Sequence, residues 1–184
     1  MPLRLFHLLL LCLLLLTACE PRGGTLRISG LSTLTPSAGG ELVVYGSGFA
    51  GLELPTVSIG DRAVPHELIR SWSSNRIDLR VPAGVVGGLV AVGGNRRDPV
   101  AYGEPVHVVA ALQVDDLVAL AGTRRYPVGV WATDILGGPV AGARLTFDSG
   151  GKGFFTPRSV VTTDAAGRAD VILDLTGVDR FVEV

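Results

Sequence analysis

From Leu26 to Val109, no stretch of this chain holds apolar residues at helical spacing without a Gly or Pro interrupting it. Turn-forming residues recur instead every 8–12 residues or so, the rhythm of an all-β sandwich. Between them, short segments alternate apolar and polar side chains. Arg76-Ile-Asp-Leu-Arg-Val81 is the clearest, with Ile77, Leu79 and Val81 on one face. Glu41–Tyr45, Thr56–Ile59, Arg62–Val64, Leu89–Val92 and Val106–Val109 read as further strands. Ala169, Val171, Leu173 and Leu175 form the buried face of another, and Asp170 and Asp174 its wet face. Ile172 interrupts that wet face and predicts cover from a neighbour or from another domain.

The N-terminus has a different character. Arg4 precedes a leucine run from Leu8 to Leu16 broken only by Cys12, followed by Thr17, Ala18 and Cys19. A basic start, a short apolar stretch and a small-residue cleavage site make a secretory signal. The run is too short to cross a bilayer, which takes about 20 residues. The Leu-Thr-Ala-Cys ending resembles the lipobox of bacterial lipoproteins. That resemblance implies a signal peptide over residues 1–18, cleavage before Cys19 and lipid on its thiol. Glu20, where an Asp would retain the protein at the inner membrane, implies the outer membrane. Residues 19–25 then form the lipidated cysteine and a short tether. The five residues after Cys19 reach at most about 18 Å, so the first folded unit lies near the membrane.

The chain has 16 basic and 17 acidic residues. Losing the leader removes only Arg4 among them, which leaves a slightly acidic chain with no reason to bind nucleic acid. Cys12 and Cys19 are the only cysteines. The folded part thus has no disulfide and depends on its hydrophobic core.

Two resemblances follow from particular residues. Leu34-Thr-Pro36, Gly39-Gly40, Val43-Val-Tyr-Gly-Ser-Gly-Phe49, Val57-Ser-Ile-Gly60, Trp72, Ile77 and Val81-Pro82 resemble an IPT/TIG domain over residues 26–109. Tyr126–Asp134, Val140–Phe147 and Val161–Ala169 are similar to the bacterial Ig-like group 1 domains of invasin and intimin, over residues 110–184. Both imply immunoglobulin-like sandwiches used for structure or binding. Asp134 and Asp164 are each followed three residues later by Gly, a turn in which Asp bonds the backbone ahead and Gly accepts a positive φ. The join Val109-Ala110-Ala111 has no Gly, Ser or Pro, so the two units are expected to stack with limited swing.

Residues that carry chemistry are few. Gly46-Ser-Gly-Phe-Ala-Gly51 matches a dinucleotide loop, but Leu52-Glu-Leu-Pro55 leads into another strand. The helix whose N-terminus would hold the pyrophosphate is missing. The glycines instead let the chain bend over the sandwich, with Phe49 plugging its end. His66 and His107 have no triad partner or metal-pair spacing. Asp115-Asp116 is the place where calcium, which takes several oxygens, would bind if it bound at all. Asp164, Asp170, Asp174 and Asp179 form no calcium loop. Trp72 falls at a packed position of the first resemblance. Trp131 lies between Val130 and Ala132, which alternation turns inward, so it points out. It is the candidate partner contact, with cover by a neighbouring strand as the alternative.

The expectation is therefore a non-enzymatic, lipid-anchored envelope protein with two tandem immunoglobulin-like sandwiches. No cofactor or metal is expected. Its membrane partner is reached through Cys19. Display or adhesion to a protein is the first reading, and a glycan ligand held by Trp131 or Trp72 is the second. An accessory role beside a catalytic chain is the third.

Overall fold

The computed structural model describes residues 25–52, 54–94 and 100–176. The leader, Cys19 and Asp179 lie outside them. Among the described residues the fold is all-β, as the alternation predicts, with fourteen strands and two single 3₁₀ turns.

The first eight strands are β1 (Arg27–Leu31), β2 (Glu41–Ser47), β3 (Thr56–Ile59), β4 (Arg62–Ala63), β5 (Ile69–Trp72), β6 (Arg76–Arg80), β7 (Gly87–Gly93) and β8 (Ala101–His107). They form two antiparallel sheets, ordered β1-β2-β6-β5 and β4-β3-β7-β8. Lettered along the chain, with β4 as an extra strand after the third, these orders are A-B-E-D and C′-C-F-G. That is the strand order of an immunoglobulin sandwich. One core joins the two layers. Leu42, Val44, Ile77 and Leu79 come from the first sheet, and Val57, Ile59, Val90, Val92 and Val106 from the second.

The Gly46–Gly51 segment has a structural explanation. Gly48 has φ +79°, which turns the chain into a 3₁₀ turn at Phe49–Gly51. The Phe49 ring then enters the core, fully buried. A Cβ on Gly46 would collide with the Arg27 carbonyl and the Phe49 ring. These glycines serve the packing of one phenylalanine.

The later strands are β9 (Ala111–Val114), β10 (Arg125–Thr133), β11 (Arg144–Thr146), β12 (Phe154–Thr156), β13 (Val160–Thr162) and β14 (Arg168–Asp174). A sheet ordered β12-β14-β10-β9 faces the pair β11-β13. Val128, Val130, Ala132, Ala169 and Val171 meet Leu145, Val140 and Ala143 in a second, separate core. Both Asp-to-Gly turns form. Oδ1 of Asp134 accepts from the Leu136 and Gly138 amides, and Oδ1 of Asp164 from those of Ala166 and Arg168. Gly137 and Gly167 close them at φ +82° and +75°.

The join is tied on both sides. The Val109 amide donates to the Pro36 carbonyl (2.9 Å), and the Val109 carbonyl accepts from Ala38 (2.8 Å). The next amide, Ala110, donates to Thr133 at the end of β10 (2.8 Å).

One strand face departs from the expected pattern. Asp170 is exposed, but Asp174 is only 8% exposed. It lies opposite Arg125 on β10 and Phe154 on β12, and these larger neighbours cover it. Arg125 Nε approaches its Oδ2 at 3.3 Å, and Thr176 donates to Oδ1 through both its hydroxyl (2.6 Å) and its amide (2.9 Å). The Thr176 bonds, with help from the charge of Arg125, hold this carboxyl below the usual aspartate range. Ile172 is half-buried between Pro127 and Thr156, the cover its place on the polar side predicted.

Candidate functional site

Two outward-facing aromatic sites stand out, one anticipated from sequence and one not. The anticipated residue is Trp131. It sits on the outer face of its sheet, opposite Gln113 on β9 and Arg168 on β14. Its surroundings fill the space a partner would need. The indole Nε1 donates to Asp115 Oδ1 (3.1 Å). The guanidinium of Arg168 lies over the ring, 4.8 Å from its centre, a cation–π contact. Arg168 Nη2 also reaches Asp115 Oδ2 (3.0 Å) and Asp170 Oδ1 (2.8 Å), while Nε bonds both Asp170 oxygens at 3.0 Å. The Asp170 bond and the pull of both acids push the Arg168 pKa further up.

Gly129 makes this cluster possible. It lies opposite Asp170, beneath the Asp115–Arg168 pair. A Cβ there would strike the Asp115 carboxylate and come within 2.6 Å of Arg168 Nη2. The missing side chain leaves a slot in which acid and base lie flat on the sheet. Trp131 is thereby only partly exposed. Asp115, the calcium candidate, already serves the indole and the guanidinium. Among the described residues no three His, Cys, Asp or Glu side chains gather as a metal-binding group.

The second site lies on the outer face of the sheet β4-β3-β7-β8. Val57 and Ile59 point into the core, so Ser58 between them points out. Ser58 stands opposite Ala91, and Ala91 opposite Tyr102. Directly opposed residues share a face, so Ser58, Ala91 and Tyr102 form one row across three strands. Two small side chains followed by a large one make a trough with a wall. Val100, just before β8, and Leu89, two residues before Ala91 on β7, also line it at 51% and 50% exposure, and Tyr102 is 67% exposed.

Glycines extend the floor. Gly60 has φ +57°, and a Cβ on it would lie 2.5 Å from the Gly87 carbonyl; one on Gly88 would lie 2.6 Å from the Gly60 Cα. The β3–β4 turn therefore rests directly on the start of β7, with only backbone between them. Asp61 stands at that turn. The resulting cleft, lined by these residues, has a volume of about 550 Å³. That lies within the roughly 300–1,000 Å³ of small-molecule sites.

The opposite sheet of the same sandwich carries a smaller dip of about 270 Å³ with a different lining. Its charges are paired. Glu41 meets Arg70 (3.3 Å), Arg76 meets Asp78 (2.7 Å), and Ser71 Oγ donates to Asp78 (2.7 Å). The Arg76 hydrogen bond, then that of Ser71, hold the Asp78 carboxyl below the usual range. Trp72, at the end of β5, is 39% exposed and meets the His66 ring edge-on at 6.0 Å. His107 is exposed at the end of β8, in the other sheet. His66 lies in the 3₁₀ turn His66–Leu68 before β5, so the two histidines belong to separate elements.

Sequence reasoning missed the trough. Its signal was the Tyr at position 102, but the small residues that make it a wall come from two other strands.

No family model matches the chain, and no curated protein matches it. Solved structures align loosely. A protein crystallised with a xylogluco-oligosaccharide aligns over 85% of this chain and 36% of its own, at 15% identity and a TM-score of 0.39. SGBP-B from a complex xyloglucan utilization locus in Bacteroides uniformis aligns over 85% of this chain and 44% of its own, at 15% identity and TM-score 0.34. The D00-D0 domain of intimin aligns over 79% and 85%, at 14% identity and TM-score 0.29. The chain spans less than half the length of the first two. At these scores the likeness transfers no ligand to this chain.

Proposed function

We propose that this chain is a lipid-anchored, non-catalytic binding module of the bacterial envelope. Lipid on Cys19 holds it to the outer membrane. Residues 26–109, an IPT/TIG-like sandwich, and residues 110–184, an invasin- and intimin-type Ig-like sandwich, present a binding surface. The observation that carries the reading is the outer face of the sheet β4-β3-β7-β8, where Tyr102 is exposed. A sandwich face with an exposed aromatic wall and a floor of small residues and glycines is built to receive a ligand. Its described lining supplies one hydroxyl, one carboxylate and one phenol, groups that bind more readily than they catalyse as a set. The join at Val109 and Ala110, hydrogen-bonded on both sides, suits display over hinge motion. The anchor rests on the Leu16-Thr17-Ala18-Cys19 ending.

Fractionation of cells expressing Cys19→Ser tests the anchor. The variant moves to the soluble fraction or keeps its leader, whereas the parent sediments with outer membrane. Unchanged membrane partition of the variant contradicts the reading.

A further inference from the structure

We propose that the trough beside Tyr102 binds a neutral sugar chain, with one pyranose ring stacked on the phenol. The inference rests on reading this chain as a binding module and names the ligand class of that outer face. Three observations lead to it.

The first is what the trough cannot do. β3 and β7 are the two interior strands of their sheet. Between Thr56–Ile59 and Val90–Gly93, and again between β7 and β8, their backbones pair with each other. A peptide adding itself as a strand needs an open edge, and the floor of the trough, Ser58 and Ala91, lies on the two interior strands. Recognition there falls to side chains.

The second is the charge of the lining. Among the described residues, Asp61 is the only charged one that lines the cleft. A lone carboxylate repels phosphate and carboxylate ligands and accepts hydrogen bonds from hydroxyls. Ser58 adds a group that both donates and accepts. No hydrogen bond or ion pair of either side chain is formed among the described residues, so both are available.

The third is shape. Tyr102 rises above a row of small residues, Ser58 and Ala91, and the Gly60–Gly88 contact keeps the adjoining floor free of side chains. A flat ring can lie against the phenol with its edge hydroxyls toward Asp61 and Ser58. The apolar C–H face of a pyranose suits an aromatic wall, and its hydroxyl rim suits a polar floor. The cleft is open and about 550 Å³ in volume, which suits a chain running across the sheet better than a buried monosaccharide.

The test is calorimetric titration of the full lipidated chain, held in a polyoxyethylene detergent without a sugar headgroup. The probes are cellohexaose, xylohexaose, mannohexaose and maltohexaose, with a lysine-containing tetrapeptide as the competing cationic class. At least one hexasaccharide binds saturably. Tyr102→Ala weakens that binding by about 30-fold or more, the loss expected of a hot-spot aromatic. Tyr102→Phe keeps most of it, because the ring face remains. Asp61→Ala weakens it several-fold, and Trp72→Ala on the other sheet leaves it unchanged. Circular dichroism verifies that each variant is folded. The proposal is overturned if no hexasaccharide binds the folded parent, if Tyr102→Ala binds as the parent does, or if the peptide binds in place of the sugars. Failure here leaves the Cys19→Ser fractionation unaffected, and failure of anchoring leaves this titration unaffected.

Discussion

Trp131 and Tyr102 both point away from a β-sandwich core, and the difference between them lies in what their neighbours do. Trp131 has a guanidinium on its face and a carboxylate on its indole nitrogen. Tyr102 has Ala91 beside it on the sheet and is 67% exposed. A glycine serves each site in an opposite sense. Gly129 makes room for charged side chains to lie over the sheet, whereas Gly60 and Gly88 bring two backbones together and keep side chains away. An outward aromatic is therefore not yet a binding residue. Its role depends on whether the residues one strand over are long and charged or short.

Substitutions test that contrast, and the largest effect is expected at Gly60. Its Cβ would meet a backbone carbonyl, and its φ of +57° strains any side chain. Gly60→Ala should cost about 2–4 kcal/mol, the sum of backbone strain and overpacking, and should deform the trough. A loss below about 1 kcal/mol, the middle of the range for ordinary substitutions, would show that the floor is not closed by direct backbone contact.

Trp131→Ala follows. The ring is only partly exposed, so its loss should cost about 2 kcal/mol, less than the roughly 3–5 of a fully buried aromatic. Gly129→Ala is milder. The atoms in its way are the ends of Asp115 and Arg168, which can swing aside. We expect about 1 kcal/mol, a usual value for a single substitution, together with a more accessible Trp131. Acrylamide quenching of the indole would rise in that variant. Unchanged quenching would mean that the Asp115–Arg168 pair does not cover the ring.

Acid should act on the Trp131 face through Asp174. Its carboxyl sits below the ordinary value in the folded chain, first because of the Thr176 bonds. Such a group stabilises the fold fully above the unfolded value of about 4 and loses that contribution as pH falls through the lower folded value. Thr176→Val removes the hydroxyl bond, so the variant should lose less stability than the parent between about pH 4 and 2. Parallel acid titrations of thermal stability decide this. Equal acid sensitivity would place the cause elsewhere.

How much of this was legible follows the range of the interactions. Alternation along Arg76–Val81 marked a strand because facing is a local property, and the Asp134 and Asp164 turns were legible because both partners lie within four residues. The outward direction of Trp131 was legible for the same reason. Its cover was not, since Arg168 comes from a strand that begins 37 residues later. Asp174 failed similarly: alternation gave the correct side of the strand, but Arg125 and Phe154 bury that side from two neighbours. The trough needed three strands in register before Ser58, Ala91 and Tyr102 became one row, and no local pattern contains that row.

The smallest expected stability effect belongs to Tyr102→Ala, and set beside Trp131→Ala it gives the most direct test. Urea unfolding of both variants and the parent should show Tyr102→Ala within about 0.5 kcal/mol of the parent, as for a surface substitution. Trp131→Ala should fall about 2 kcal/mol below it, part of the penalty for a buried aromatic. That result assigns one aromatic to holding the fold and leaves the other for a ligand. Equal losses, or a larger loss at Tyr102, would contradict the account.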